Sequence, residues 1–408
     1  MRILIVSQYF WPENFRINDL CEELIKRGHD VTLLTGVPNY PSGKVFEEYR
    51  ENPKGFREYK GSRVIRVPII PRGYGSSLKL VLNYISYVVL AGLYGVFRFR
   101  KKQFDVTFVY EPSPVTVCLP AVFIRKFKKV PVVFWVLDLW PETLQSVGVV
   151  KSERVLNAVG KLVSYIYNRC DLVLGQSEAF YDGIARYCDD KSKIKYFPSW
   201  SEAGFSQQKT NSDNPLAAEE SEFKILFAGN VGEAQDFPSL LQAAEQLHAC
   251  NSRAVFYIVG DGRMSEWLEQ EIGKRGLEAR VRLMGRHPLE AMPDFYAAAD
   301  ALLVTLKESP VFAKTIPGKV QTYLAAGKPI LTMMTGEGSD VIVRAECGLV
   351  ADSSDYLKLY QNIEMMSDMS AEDLAELGKN ARKYAAAHFD REKLIDQLES
   401  WFHSVSSA

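Results

Sequence analysis

The 408-residue chain lacks the short motifs that mark several large enzyme classes. It contains no GxSxG nucleophile turn, no GxxxxGK[ST] phosphate loop and no GxGxxG dinucleotide turn. These absences argue against the common forms of hydrolase, nucleoside triphosphatase and nicotinamide-dependent dehydrogenase. The five histidines are scattered without metal-ligand spacing, so the sequence predicts no metal site.

The sequence contains no CxxC cysteine pair, and we expect no secretory signal. None of the six cysteines forms a CxxC pair, a usage typical of reduced cysteines in a cytoplasmic protein. The chain starts Met1-Arg2 and passes directly into the apolar run ILIV, without the small-residue cleavage site of a secretory signal. We therefore expect a cytoplasmic protein.

The chain has little net charge, but its charges are unevenly distributed. The formal charge of −1 argues against a simple nucleic-acid-binding protein. Residues 1–200 carry 29 Lys and Arg against 19 Asp and Glu, whereas residues 201–408 carry 20 against 31. The basic half suggests an anionic membrane surface or an anionic substrate as its partner.

One long apolar run, at 80–97, leads into the basic residues around 98–102. Its length is at the threshold for a membrane-spanning helix, but Asn83, Ser86 and three tyrosines favour a buried or interfacial helix. A second basic cluster lies at 124–130. Such clusters either hold a protein against anionic lipid or simply complement the ends of solvated helices, and the sequence leaves both interpretations open.

Short apolar runs alternate with amphipathic helical patterns along most of the chain. The predicted strands are 2–6, 31–35, 64–69, 106–110, 132–136, 171–175, 224–229, 254–260, 281–285, 301–306, 329–333 and 348–351. Continuous apolar strands separated by helices indicate parallel sheets covered on both faces. The polar segment 201–222 interrupts the pattern and is the best linker. The sequence thus predicts two doubly wound α/β domains, 1–200 and 201–389, that face a cleft.

Ligands of open α/β sheets bind beyond the carboxyl ends of the strands. In the second predicted domain these ends carry glycines that allow close backbone approach, together with polar residues. The donor-side candidates there are Gly229, Asn230, Gly260, Gly262, Arg263, Arg286 and His287. Each is weak evidence alone, because tight turns after strands often use glycine.

The segment 314–320 is more informative. Proline and glycine suit the start of a helix, a threonine could cap it, and two lysines add charge at its positive end. An anionic group such as a diphosphate would fit there, although a plain Pro-Gly helix start is the alternative. The candidates in this segment are Lys314, Thr315, Pro317, Gly318, Lys319 and Val320.

In the first predicted domain, Asp138 ends a strand and could orient an acceptor hydroxyl or assist catalysis. Its alternative role is to cap the helix start that follows. Arg16, with Asn14, lies at the start of the first helix and could receive phosphate, or could simply be an exposed arginine. The acceptor-side candidates are Glu13, Glu111 and Trp140.

Several segments together resemble the group 1 (GT4) glycosyltransferases of the GT-B fold, in particular the O-antigen and capsule branch and its L-fucosamine (N-acetylfucosaminyl) transferases. The segments are the stretch from YFWPENF to YPSGK at 9–44, DLWPE at 138–142, GNVGEAQD at 229–236, KTIPGKVQTYLAAGKPI at 314–330 and ARKYAAAHF at 381–389. The resemblance covers essentially the whole chain.

The resemblance implies a retaining transferase that moves a sugar, such as N-acetyl-L-fucosamine, from a UDP-sugar to a lipid-linked or saccharide acceptor in surface polysaccharide biosynthesis. It implies no cofactor and no obligatory metal. It also implies a peripheral place at the cytoplasmic face of the membrane and a last helix, at about 390–408, that crosses back to the first domain. Nucleotide-sugar binding falls to the second domain, and acceptor binding to the first.

The chain departs from the family pattern at several functional positions. Asn230 and Gln235 stand where many members carry an arginine and a lysine, and Lys314 and Thr322 replace the two glutamates of the E-x7-E motif. We expect Lys319, Arg16 and Lys314 to supply the missing positive charge, with Asp138 and Lys319 as the catalytic pair. A sugar-nucleotide 2-epimerase, a non-catalytic sugar-nucleotide-binding subunit and a membrane-assembly component are the alternatives.

Overall fold

The computed structural model describes residues 1–73, 77–146, 150, 152–201, 216 and 222–407. The predicted linker, 201–222, lies almost wholly outside these described residues. The chain forms two compact units: unit 1 comprises Met1–Phe197 and Glu392–Ala408, and unit 2 comprises Pro198–Arg391.

Unit 1 is built on a sheet whose strand order is β3-β4-β2-β1-β5-β6-β7-β8. All neighbouring strands are parallel except β3, which pairs antiparallel to β4 at one edge. The strands are β1 (Arg2–Val6), β2 (Asp30–Gly36), β3 (Glu58–Tyr59), β4 (Ser62–Val67), β5 (Val106–Glu111), β6 (Val132–Val136), β7 (Leu172–Gly175) and β8 (Ile194–Tyr196).

The connections of unit 1 are mainly helical. Its first seven helices are α1 (Arg16–Lys26), α2 (Glu47–Glu51), α3 (Ser77–Arg98), α4 (Leu119–Lys128), α5 (Glu142–Ser146), α6 (Glu153–Tyr167) and α7 (Phe180–Ala185). The chain's final helix, α15 (Arg391–Ser406), begins at the boundary of the units and packs in unit 1. Its Phe402 is fully buried, with its ring 5.7 Å from that of Phe108.

Unit 2 has an all-parallel sheet in the order β11-β10-β9-β12-β13-β14. Its strands are β9 (Phe223–Ala228), β10 (Ala254–Val259), β11 (Val281–Gly285), β12 (Ala301–Thr305), β13 (Ile330–Met333) and β14 (Gly348–Ala351). Its helices are α8 (Phe237–Ala249), α9 (Ser265–Arg275), α10 (Met292–Ala298), α11 (Gly318–Ala326), α12 (Glu337–Arg344), α13 (Tyr356–Ser367) and α14 (Ala371–His388).

The predicted α/β class with two parallel sheets is confirmed, because each of the twelve predicted strands appears within about two residues of its expected place. Seven of the fourteen strands described are buried along their whole length, three in unit 1 and four in unit 2, as expected for sheets with helices on both faces. Because parallel strands end at the same edge, the polar residues that follow them collect there.

Candidate active site

The strand ends of β9 and β10 in unit 2 are joined through backbone contacts that require glycine. Gly229 and Gly260 have φ angles of +140° and +144°. A Cβ atom on Gly260 would lie only 1.8 Å from the carbonyl oxygen of Gly229, and one on Gly262 would lie 2.2 Å from that of Val231. The two turns thus form one compact platform of exposed backbone, which explains the predicted glycines at least in part by internal packing.

Lys319, at the start of α11, lies over this platform. Its Nζ donates a hydrogen bond of 2.7 Å to Oε1 of Gln235 and lies 3.5 Å from the centroid of the Phe227 ring. A Cβ on Gly229 would meet the Lys319 side chain at 2.7 Å, so the glycine makes room for the lysine.

The residue as a whole is partly exposed, but its ammonium lies deep among the strand ends. Burial there lowers the pKa of Lys319 well below its ordinary value. No ion pair to a carboxylate is seen for Lys319 among the described residues. A buried cation without a carboxylate partner costs free energy that an anionic ligand could recover.

The N-terminus of α11 is open beside this lysine. Pro317 is the N-cap residue, and no side chain caps the helix. A Cβ on the exposed Gly318 would have no atom within 4 Å, so internal packing does not explain this glycine. Uncapped N–H groups next to open space and a cation are what an anion-binding helix start offers.

Two predictions in this segment are corrected. Thr315 does not cap α11, because its hydroxyl donates to the carbonyl of Phe312 at 3.0 Å. Val320 is 0% exposed and packs in the hydrophobic core, and its N–H donates to Pro317, so neither its side chain nor its amide can contact a donor. Lys314 ends the 3-10 turn that precedes the helix.

A cavity of ≈ 490 Å³ lies beside α4 in unit 1. In unit 2, a cavity of ≈ 460 Å³ lies at the ends of β10 and β11. It is lined in part by Gly260, Asp261 and Arg286. The carboxylate of Asp261 accepts hydrogen bonds from Gly262 and Ser265 and so shapes the turn. This cavity keeps Arg286 among the residues available to a ligand.

Three other candidates lie on these turns, one packed within unit 2 and two exposed. The ring of His287 packs against Phe295, with 4.7 Å between centroids, and its Nε2 lies 3.0 Å from the carbonyl oxygen of Met284. Its side chain is therefore engaged within unit 2. Arg263 is exposed on the turn after β10, and Asn230 is exposed after β9.

In unit 1, the carboxylate of Asp138 is held by its own loop. The hydroxyl of Thr143 donates to one oxygen, and the indole Nε1 of Trp140 donates to the other at 3.2 Å. Burial raises the pKa of Asp138, while hydrogen bonds from Thr143, Ser113 and Trp140 oppose the shift. Trp140 thus acts on Asp138 directly, and the loop fixes the direction of the carboxylate.

Glu111 corrects the expectation of an acceptor contact. It ends β5 and is 0% exposed, so it cannot touch an acceptor in this structure. Burial, followed by the nearby charge of Asp138, raises its pKa well above the ordinary value. The N–H groups of Leu137 and Asp138 oppose the shift, but neither carboxyl oxygen has a hydrogen-bond partner of normal geometry among the described residues. Burial therefore favours the protonated, neutral form of Glu111.

Glu13 positions loops instead of facing solvent. Its carboxylate accepts hydrogen bonds from the N–H groups of Phe10, Asn39 and Tyr40 at 3.1, 2.8 and 2.7 Å. Burial raises its pKa to about 7 despite these bonds. The neighbouring Asn14 is exposed and Arg16 begins α1, both in unit 1, so their predicted share in donor binding stays a prediction.

Sequence reasoning missed a polar and aromatic cluster beside Asp138. Tyr84, on the inner part of α3, interacts with Ser113 and Asp138. The guanidinium of Arg72 lies 5.0 Å from the centroid of the Tyr40 ring, and Tyr40 packs on Tyr9 at 5.5 Å. These residues come from the segments that follow β1, β2, β4, β5 and β6, and no local spacing in the sequence could have linked them.

Two family models match the chain, one in each unit. Residues 14–200 match the model described as glycosyl transferase 4-like domain. Residues 208–384 match the model described as glycosyl transferases group 1. Together they cover most of the chain. The chain belongs to the group 1 glycosyltransferases.

This glycosyltransferase is similar to bacterial proteins that are named as glycosyltransferases. It is 25% identical over 340 residues to WcaI of Escherichia coli (strain K12), which is named a glycosyl transferase of colanic acid biosynthesis; the match covers 80% of this chain and 82% of WcaI. It is 29% identical over 259 residues to the glycosyltransferase WbjE of Pseudomonas aeruginosa, covering 60% of this chain and 62% of WbjE.

The crystal structure of Anabaena HepE (Alr3699) in complex with UDP has a similar fold. Its TM-score is 0.71 at 15% identity, and the match covers 99% of this chain and 100% of that one. The GT-B fold expected from the resemblance is thereby confirmed.

The glycosyltransferase shows how its departures from the family pattern are accommodated. Gln235, at the place of a family lysine, receives the hydrogen bond of Lys319. Thr322, at the place of a glutamate, donates to the carbonyl of Gly318 in its own helix at 3.1 Å. The ammonium of Lys319 lies over the ring of Phe227. Sequence reasoning missed Phe227, because nothing distinguishes it from the other apolar residues of β9.

Proposed function

We propose that this glycosyltransferase binds a UDP-linked sugar in unit 2 through Lys319 and the open start of α11. The single observation that carries the proposal is the buried ammonium of Lys319, which a glutamine holds and no described carboxylate neutralises. The UDP complex of HepE supports a uridine nucleotide as the donor class. A diphosphate would supply the negative charge that this site lacks.

The same groups would stabilise the reaction's leaving group. As the bond between sugar and phosphate breaks, negative charge gathers on the diphosphate. The Lys319 ammonium and the first N–H groups of α11 would interact with that charge more strongly in the transition state than in the ground state. Removal of one such donor typically costs about 3 kcal/mol of transition-state stabilisation.

For the chemistry we propose transfer with retention at the anomeric carbon. The leaving phosphate would take the proton of the acceptor hydroxyl, so no strong enzyme base is required. Asp138, held by Thr143 and Trp140, would orient the acceptor. Asp138→Asn should then lower kcat more than it raises KM, and a variant with unchanged kcat would rule out this role.

We propose a lipid-linked saccharide as acceptor and N-acetyl-L-fucosamine as the transferred sugar. The exposed aromatic surface of Tyr40 beside Arg72 supports a saccharide in unit 1, since sugar rings pack on aromatic faces. The enzyme would meet such an acceptor as a peripheral protein at the cytoplasmic face of the membrane. No cofactor would be required besides the nucleotide-sugar.

The first test is a thermal-shift titration of the wild type and Lys319→Ala with UDP, GDP, ADP and dTDP. We expect UDP to raise the Tm of the wild type. The variant should need at least about tenfold more UDP for the same rise in Tm. Lys383→Ala, at an exposed position on α14, is the matched control and should behave as the wild type. Equal UDP stabilisation of all three proteins would remove Lys319 from the donor site.

Product analysis tests the reaction itself. The enzyme is incubated with UDP-sugars and short lipid-linked acceptors, and the anomeric configuration of the product is read by NMR. Retention with UDP-N-acetyl-L-fucosamine is expected. Free epimerised sugar in the absence of acceptor would identify a 2-epimerase, and UDP binding without turnover of any pair would identify a binding subunit.

A further inference from the structure

Helix α3 has two apolar faces, and only one of them is covered. Asn83, Tyr87 and Ala91 are fully buried on the inner face. On the opposite side lies a stripe of exposed apolar side chains, with exposed fractions from 39% for Leu82 to 75% for Phe97. We call it the outer face, and it comprises Leu78, Val81, Leu82, Ile85, Val89, Leu93 and Phe97.

The apolar surface continues onto α4. A Cβ on Gly92 would lie 2.8 Å from the ring of Phe123, so the two helices touch through glycine. Phe123 and Phe127 of α4 are themselves 38% and 67% exposed. An exposed apolar patch that spans two helices marks an interaction surface, because soluble proteins rarely leave such an area uncovered.

The charges around this patch have one sign. Residues 59–104 contain nine Lys and Arg and no Asp or Glu, and residues 112–137 contain four and none. The Nζ of Lys128 donates to the carbonyls of Arg100 and Lys102 at 2.6 and 3.0 Å, so the basic ends of α3 and α4 meet. We call the exposed cations there the basic cluster, which comprises Arg98, Arg100, Lys101, Lys126 and Lys129.

A cleft of ≈ 490 Å³ links the apolar and basic parts. Its lining includes Phe123, Lys126 and Lys129. Arg125 also lines it but is paired with Asp171. For the two lysines facing the cleft, no ion pair is seen among the described residues. A lipid phosphate would find cations beside an apolar wall in this place.

By length and composition α3 could cross a bilayer, and it is the one such helix found among the described residues. Its inner face, however, is built into the core of unit 1. Asn83 bonds to Gln8 and Ile70 at 2.6 Å each, and the Tyr87 hydroxyl donates to the carbonyl of Leu34 at 3.2 Å. A spanning α3 would break these bonds and empty part of the core.

We propose that the outer face and the basic cluster dock unit 1 on an anionic lipid bilayer, with α3 lying in the plane of the interface. A helix with apolar side chains on its exposed side and cations at its end has the chemistry of an interfacial anchor. A second copy of the chain fits less well, because a two-fold contact through this face would bring like charges together. The inference deepens the proposed membrane location and does not depend on the nucleotide site.

The test is sedimentation of the full chain with vesicles of phosphatidylcholine alone or with about 30% phosphatidylglycerol. The wild type should bind the anionic vesicles, and Lys126→Glu/Lys129→Glu should lose about fivefold in affinity or more for each lysine. Ile85→Ser/Val89→Ser/Leu93→Ser should lose at least about thirtyfold. Leu357→Ser/Met365→Ser, at comparably exposed apolar positions of unit 2, should bind as the wild type.

Other outcomes overturn the proposal. Absence of vesicle binding, equal binding to both vesicle types, or resistance of the bound protein to alkaline carbonate extraction would exclude an electrostatically assisted interfacial helix. A dimer of the wild type in sedimentation equilibrium that the triple variant does not form would also exclude it. That result would assign the outer face to a second copy of the chain. For each variant, the Tm without UDP reports folding, and the rise in Tm with UDP reports the proposed donor site. Loss of lipid binding with an unchanged UDP response is therefore distinct from loss of the donor site.

Discussion

The ammonium of Lys319 and the amide of Gln235 are joined by a 2.7 Å hydrogen bond across 84 residues of sequence. The contact places a cation beside the residue that stands where many family members carry a lysine. That Lys319 supplies the positive charge which the β9 turn lacks stays a prediction.

Gln235→Glu should weaken UDP binding by at least about tenfold, because the new carboxylate would pair with Lys319 and compete with the diphosphate. Isothermal titration with UDP measures the effect. Gln246→Glu, within α8, controls for the added negative charge. Unchanged UDP affinity in Gln235→Glu would mean that the lysine does not face the diphosphate.

UDP affinity should fall as the pH rises above the lowered pKa of Lys319. The free enzyme loses the ammonium proton at a pH well below the ordinary value of 10.5, whereas a bound diphosphate favours the charged form. Titrations from about pH 7 to about pH 9.5, above the ionisation of the phosphate itself, measure the slope. Lys319→Arg, which stays charged throughout, should bind UDP without this slope.

Gly260→Ala and Gly318→Ala should separate packing from ligand binding. The first places a Cβ 1.8 Å from a carbonyl oxygen at a φ of +144° and should cost more than about 3 kcal/mol of stability. The second meets no atom within 4 Å and should change stability by less than about 1 kcal/mol. Gly318→Ala should nevertheless weaken UDP binding, since its methyl group enters the proposed phosphate site. Urea unfolding and UDP titration of both variants check this contrast.

Glu111→Gln should become more stable than the wild type as the pH rises. The folded-state pKa of Glu111 lies well above 4.5, so the folded form binds more protons than the unfolded form. The wild type therefore loses up to about 1.4 kcal/mol per pH unit between the two pKa values, and the amide does not. Thermal unfolding from pH 4.5 to pH 8 measures the difference, with the exposed Glu48→Gln on α2 as control. Parallel profiles of wild type and Glu111→Gln would show that Glu111 ionises normally.

The sequence pattern was sufficient for the fold because buried parallel strands are continuous apolar runs, as in Val132–Val136. It was insufficient for β3 and β8, which have two and three residues and carry no run of their own. The place of Lys319 in the first turn of a helix could be predicted from the Pro-Gly pair before it. The burial of Glu111 and Val320 could not, because depth within a fold depends on contacts distant in sequence.

The placement of α15 has a consequence for the order in which the protein can be made. Residues 392–408 follow unit 2 in the chain but belong to unit 1, where Phe402 covers Phe108 and Glu399 bonds to His29 and Arg27. During synthesis, the first 197 residues leave the ribosome long before the helix that completes their core. The core of unit 1 therefore stays incomplete, with Phe108 uncovered, until unit 2 and α15 have been synthesised. A chain that stops at residue 390 would never complete this core.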